Sequence, residues 1–187
     1  MTSPASVGGD EQLRLFLAVR LPERVLDAIA AWQDDRLPGG GGARAVRRDD
    51  LHVTLAFLGH RSAGELEGIL GALREAAAAA SPEIRLTPSR YAETRSVGML
   101  VLDDEEGRGG VLAADLQARL ERLGVYRSER RPWLPHVTVA RFRARPRLQP
   151  GLPAVRTFVP SDAAAYLSRL RPSGAQYDVL ESVALGG

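Results

Sequence analysis

The sequence predicts an α+β fold, and three observations carry that expectation. Candidate strands and helices follow one another in mixed order, without the strict strand–helix alternation of a parallel α/β sheet. Two short apolar runs, Leu51–Leu58 (LHVTLAFL) and Leu134–Phe142 (LPHVTVARF), are rich in β-branched and aromatic residues and read as buried strands. Both runs carry one tetrapeptide pattern, His52-Val53-Thr54-Leu55 and His136-Val137-Thr138-Val139, with the histidines 84 residues apart (136 − 52). An approximate two-lobed internal duplication explains that spacing.

The elements follow in order. Leu13–Arg20 (LRLFLAVR) reads as a first strand, and Pro22 suits the opening turn of a helix over about 23–36 with an apolar face from Val25, Ile29 and Trp32. Gly39–Gly42 reads as a flexible linker, because Ala43 and Arg44 follow it where a phosphate-cradling loop needs Lys and Ser or Thr. After the first His strand, Ser62 with Glu65 three residues on forms a capping box for a helix to about Ala80. Strands are expected near 83–92 and 97–103. The acidic run Asp103–Glu106 precedes a helix over about 109–123, where carboxylates favour the positive end of the dipole rather than a metal ion. The second His strand comes next, then a Pro/Arg-rich stretch from Arg143 to Pro153. Two last strands, near 163–170 and 176–185, join at a turn, Pro172-Ser173-Gly174.

Side chains alternate across a strand, so His52 and Thr54 share one face, as do His136 and Thr138. Leu51, Val53, Leu55 and Phe57 supply the opposite, apolar face of the first run, and Val137 and Val139 do so for the second. A single histidine in an apolar strand is usually a hydrogen-bonded core residue. Two of the chain's three histidines in one repeated motif point instead to a lined cleft. Two imidazoles with ordinary pKa values near 6.5 can serve as one base and one acid near neutral pH. The neighbouring hydroxyls can donate to the oxygens of a bound phosphate. These are the parts of an in-line displacement at phosphorus. The sequence holds no HExxH and no third histidine beside either motif, and His60 reads as a solvated loop residue.

Composition narrows the class. The chain has 187 residues, 44% of them hydrophobic, enough for one domain or two small lobes and without a run long enough to span a membrane. With no cysteine, disulfides, thiolate catalysis and Cys-ligated zinc are excluded. Residues 1–12 are polar and small, lack the marks of a signal peptide and are expected to be a disordered tail before a catalytic domain over 13–187 in a cytoplasmic protein. All 25 basic residues are arginine. Seven fall between Arg127 and Arg147 against one acid, Glu129, a basic rim suited to a polyanion such as RNA.

The text around the motifs resembles a known family. LRLFLAVRLP, DDLHVTLAFLG, RPWLPHVTVARF and AYLSRLRPSGAQYDVL together are similar to the two-histidine (2H) phosphoesterases, and among them to the RNA 2′,3′-cyclic phosphodiesterases, historically named 2′-5′ RNA ligases. The resemblance covers roughly Leu13 to Leu185. It implies a bilobal fold with two antiparallel-rich sheets flanking a central cleft and helices outside. It also implies no cofactor, and hydrolysis of RNA 2′,3′-cyclic phosphate ends to 2′-phosphomonoesters; no metal is expected, and the protein is expected to be a monomer. His52 maps onto the family's proton donor and His136 onto its proton acceptor, with Thr54 and Thr138 as phosphate ligands. Arg141 matches an arginine that often holds phosphate or RNA backbone, although plain alternation puts it on the face opposite His136. Phe57, Trp133 and Tyr166 are candidates for the aromatic residue near the base. The alternatives are 2′-5′ RNA ligation, 2′-5′ oligonucleotide cleavage or a cyclic phosphate on a nucleotide at the same site, and a non-catalytic RNA-binding module.

Overall fold

A computed structural model describes residues 11–37, 42–127, 131–171 and 174–186. Most of the expected N-terminal tail, Gly39–Gly41 of the linker and Pro172-Ser173 of the last turn lie outside the described residues. Among the described residues, eight strands and three helices follow: β1 (Gln12–Arg20), α1 (Glu23–Arg36), β2 (Ala43–Ala45), β3 (His52–Ser62), α2 (Leu66–Ala79), β4 (Arg85–Glu93), β5 (Val97–Glu105), α3 (Arg108–Arg122), β6 (His136–Phe142), β7 (Ala163–Arg171) and β8 (Gly174–Val183). The mixed order and the all-antiparallel pairing make the fold α+β, as the sequence predicts.

The strands form a single sheet, ordered β4-β5-β6-β3-β1-β7-β8, with β2 paired to β6. This corrects the expectation of two sheets. The hydrogen-bonded ladder runs unbroken, but at its centre β3 and β6 meet through one residue pair, Val53↔Val137. Beyond that waist, β2 takes over the same edge of β6, pairing Ala43–Ala45 with Phe142–Ala140. A three-residue strand after a glycine run has no periodicity to announce it, so it reads as linker in the sequence. Two further corrections concern β3, which runs on to Ser62 and pairs with β1 along its length except at register shifts. His60 is therefore an exposed strand residue opposite Arg14 rather than a loop residue.

All three helices cover one face. Val25, Ile29 and Trp32 of α1, Ile69 and Leu73 of α2, and Leu112 and Leu116 of α3 join Val53 and Val137 in one buried cluster. The capping pair forms as expected, with the Ser62 N–H donating to Glu65 Oε2 at 2.7 Å ahead of α2. Before α3, the Asp104 carboxylate accepts from the N–H groups of Gly109 (3.0 Å) and Gly110 (2.7 Å). The acidic run thus serves a helix N-terminus. Among the described residues, the other face of the sheet carries a small cluster of Phe16, Ala18, Ala164 and Tyr166.

Candidate active site

The single β3–β6 contact places the chemistry. Val53 and Val137 lie between His and Thr in their motifs and face each other, both fully buried on the helix side. Antiparallel register then sets His52 opposite Thr138 and Thr54 opposite His136, all four on the open face. The two imidazoles occupy one diagonal of this square and the two hydroxyls the other, with diagonal neighbours about 7–8 Å apart. That is room for one phosphate between two histidines.

Each ring is oriented by the chain two residues before it. His52 Nδ1 lies 2.7 Å from the Asp50 carbonyl oxygen, and His136 Nδ1 lies 2.8 Å from that of Leu134. A carbonyl only accepts, so Nδ1 carries the hydrogen in both rings and Nε2 is left for the cleft.

Both motif strands then bulge at the same place. In β3, Thr54 pairs with Ala18 and Ala56 with Leu17, leaving Leu55 without a partner in β1. In β6, Thr138 pairs with Met99 and Ala140 with Gly98, leaving Val139 without one in β5. One extra residue reverses the alternation that follows. Phe57, which the sequence assigns to the core face, therefore turns to the histidine side, where it is 50% exposed. Arg141, five residues past its histidine as Phe57 is past its own, turns the same way. Plain alternation fails at both positions for this one reason. Neither bulge has a sequence marker such as glycine.

The environments of the rings differ. His52 packs against Phe16 (4.8 Å between ring centroids), Tyr177 (5.5 Å) and Tyr166 (5.8 Å). Burial pushes its pKa down from 6.5 to about 4, partly offset by the Asp50 carbonyl, while the positive charges of His136 and Arg141 push the same way as burial. Burial likewise raises the Tyr166 hydroxyl to about 12 and lifts the Asp50 carboxyl. His136 instead opens onto a pocket lined by Thr54, Phe57, Gln117, Arg131 and Trp133. There the Trp133 indole donates to the Thr54 carbonyl at 2.8 Å, and the Arg14 guanidinium lies 4.8 Å from the centre of the Phe57 ring. On the other side of the square, Arg44, Arg47, Asp50, Arg141 and Tyr177 line a second pocket.

The expected residues are thus sorted. His52, His136, Thr54, Thr138 and Arg141 share one face. Of the aromatic candidates, Phe57 and Trp133 line the open pocket, whereas Tyr166 is stacked on Phe16 beneath His52 and is only 6% exposed. Phe16, Tyr177 and Arg14 had no signal in the sequence, because each comes from a strand distant in the chain. Part of the arginine rim is pinned: Glu93 accepts from Arg145 Nε and from the N–H groups of Arg147 and Leu148. Arg130 lies outside the described residues. Among the described residues, no three His, Cys, Asp or Glu side chains group as a metal site.

Fold and site together define an antiparallel α+β protein with a paired His/Thr cleft on its open face. The chain belongs to the 2′-5′ RNA ligase superfamily, whose sequence profile matches residues 21–171, both motifs included. It is 34% identical over 183 residues to the RNA 2′,3′-cyclic phosphodiesterase of Thermus thermophilus, covering 94% of this chain and 91% of that protein. The RNA 2′,3′-cyclic phosphodiesterase of Escherichia coli is 32% identical over 136 residues, 70% of this chain and 73% of that one. Among solved structures, a Thermus thermophilus protein matches with TM-score 0.80 at 30% identity, over 94% of this chain and 99% of that one. The complex of E. coli LigT with 3′-AMP matches at 0.76 and 26%, over 95% and 100%.

Proposed function

We propose that this protein hydrolyses the 2′,3′-cyclic phosphate ends of RNA to 2′-phosphomonoesters, with His136 as base and His52 as acid. The observation that supports it most is the crossing of the two motifs at Val53 and Val137, with both histidines and both threonines on one open face. The relatives bear the name of that activity, and LigT binds a mononucleotide, 3′-AMP, on the same fold.

In the reaction, His136 Nε2 takes a proton from water as the water oxygen attacks phosphorus. The P–O3′ bond breaks opposite, and His52 gives its proton to the departing oxygen, which leaves the phosphate on the 2′ position. Thr54, Thr138 and Arg141 donate to the phosphate oxygens as charge builds on them. The buried ring cage suits the acid. It makes the His52 imidazolium a strong proton donor and favours the neutral ring that remains. The anionic phosphate supplies the charge that keeps the proton on His52 until then. The base of the terminal nucleotide stacks in the Phe57–Trp133 pocket. The halves of the sheet on either side of the waist act as the two lobes of one catalytic domain over 13–187. The protein works as a cytoplasmic monomer on RNA; no helix among the described residues is long and apolar enough to cross a membrane.

The test is incubation with a cyclic-phosphate-ended oligonucleotide in EDTA, followed by identification of the product. A 2′-phosphate formed without added metal is expected. A 3′-phosphate, or activity restored only by zinc or magnesium, overturns the proposal. The superfamily's name favours one second reading, 2′-5′ ligation, which differs only in the nucleophile: a ribose hydroxyl replaces water. Supplying an RNA with a free 5′-hydroxyl end and looking for a joined product separates the two.

A further inference from the structure

The strand–helix–strand units β1-α1-β3 and β5-α3-β6 exchange one hydrogen bond each. Gln33 on α1 and Gln117 on α3 are 84 residues apart (117 − 33), the spacing of the two histidines, yet each reaches into the other unit. Gln33 Nε2 donates to the Val139 carbonyl at 2.7 Å and to that of Val46 at 3.0 Å. Gln117 Nε2 donates to the Leu55 carbonyl at 2.8 Å. Val139 and Leu55 are the bulge residues that follow the two motif threonines. A bulged residue drops out of the ladder on that side, so its backbone groups look for partners elsewhere. The Val139 carbonyl accepts from the Val46 N–H at 3.0 Å as well as from Gln33, whereas the Leu55 carbonyl accepts from Gln117. A glutamine amide supplies an N–H donor at side-chain reach without bringing charge into a core. Gln33 is itself only 3% exposed.

We propose that Gln33 and Gln117 are positioning residues, each holding in the opposite repeat the bulge that turns Arg141 or Phe57 onto the reactive face. Each unit thereby sets the substrate-binding side chain of the other. Without its bulge, a strand in plain alternation directs residue 57 or 141 toward the core. The histidines and threonines precede the bulges and keep their placement through the Val53–Val137 pair. The proposal rests on the cyclic phosphodiesterase reading for its kinetic consequences, but not for its structural one.

The experiment uses Gln33→Leu and Gln117→Leu, which keep volume and remove the donor, alone and combined with Phe57→Ala or Arg141→Ala. Each single change should lower kcat/KM on a cyclic-phosphate-ended oligonucleotide about 10-fold, the size of one net hydrogen bond, chiefly through KM. Gln117→Leu should add nothing to Phe57→Ala, and Gln33→Leu nothing to Arg141→Ala, while the crossed combinations multiply. Multiplication in all four pairs marks a merely structural role and overturns the proposal. Hydrogen exchange at residues 55–58 in Gln117→Leu, and at 139–142 in Gln33→Leu, gives a readout independent of turnover. Local acceleration is expected; unchanged exchange overturns the proposal. A wild-type protein without turnover sinks the functional reading alone and leaves the exchange result to decide this one. If buried Gln33→Leu fails to fold, the half-buried Gln117 carries both tests.

Discussion

The β3 and β6 repeats use one backbone plan and dress it differently. In both, His-Val-Thr opens a strand, Nδ1 is held by the carbonyl two residues back, a bulge follows the threonine, and the residue five past the histidine turns onto the open face. In β3 that residue is Phe57, and the histidine sits among three aromatic rings. In β6 it is Arg141, and the histidine faces a pocket mouth. Backbone symmetry puts two equivalent imidazoles on one diagonal of the open face. The side chains around them make the pair unequal, so the two imidazoles differ in how readily they hold a proton.

The severest way to break the comparison is to remove the rings. His52→Ala and His136→Ala should each lose about 10²–10⁴-fold in rate, with the double variant little worse than either single one. A substrate whose 3′ leaving group needs no proton should sharpen it. On that compound His52→Ala recovers most of its rate and His136→Ala stays impaired, and the reverse pattern would mean the acid and base are exchanged. Next come the two side chains at the equivalent fifth position. Phe57→Ala should raise KM about 10-fold by loss of base stacking, with little change in salt dependence. Arg141→Ala should cost a similar factor and flatten the salt dependence, since it removes a charge from the phosphate. Identical behaviour of the two would mean the bulges do not divide binding between base and phosphate.

The inequality of the rings has its own measurement. His52 must be protonated to act as the acid, so its pKa, lowered to about 4 in the free protein, should set the limb of kcat/KM where activity falls with rising pH, and the same limb of kcat should lie higher because bound phosphate favours the protonated ring. Two coincident limbs near 6.5 would contradict the burial of His52. Tyr177→Ala, the least buried way to open the cage, should move the His52 titration in NMR up from about 4 toward 6.5. The same shift bears on stability. The unfolded chain binds a proton near 6.5 and the folded one only near 4, so this contribution is full above 6.5 and is lost as pH falls through that window. The smallest effect concerns the rim. Arg131→Ala, at the pocket on the His136 side, should lower the salt slope of oligonucleotide binding by about one.

Much of the site was legible because it is local. The repeat of His-Val-Thr is a fact of the chain, and strand alternation alone puts His52 with Thr54 and His136 with Thr138. The capping pair Ser62/Glu65 and the helix-facing role of Asp104 are short-range too, and both formed as read. Where the sequence reading missed, the cause lies in pairing between distant segments. Alternation put Phe57 in the core and Arg141 on the wrong face because a bulge belongs to two strands, and its need for a partner is met by a helix from elsewhere in the chain.

The amino-acid sequence by itself determined the chemical inventory and the two-copy plan: two imidazoles, two hydroxyls, no thiol and a basic approach, set by composition and by periodicities a few residues long. Tertiary structure decided that one sheet, joined through a single valine pair, brings the copies together, and that His52 is caged by Phe16, Tyr166 and Tyr177 while His136 stays open. The physical reason is that pKa and side-chain facing depend on which distant strands and helices become neighbours. A pattern of residues along one strand carries no record of what will pack across it.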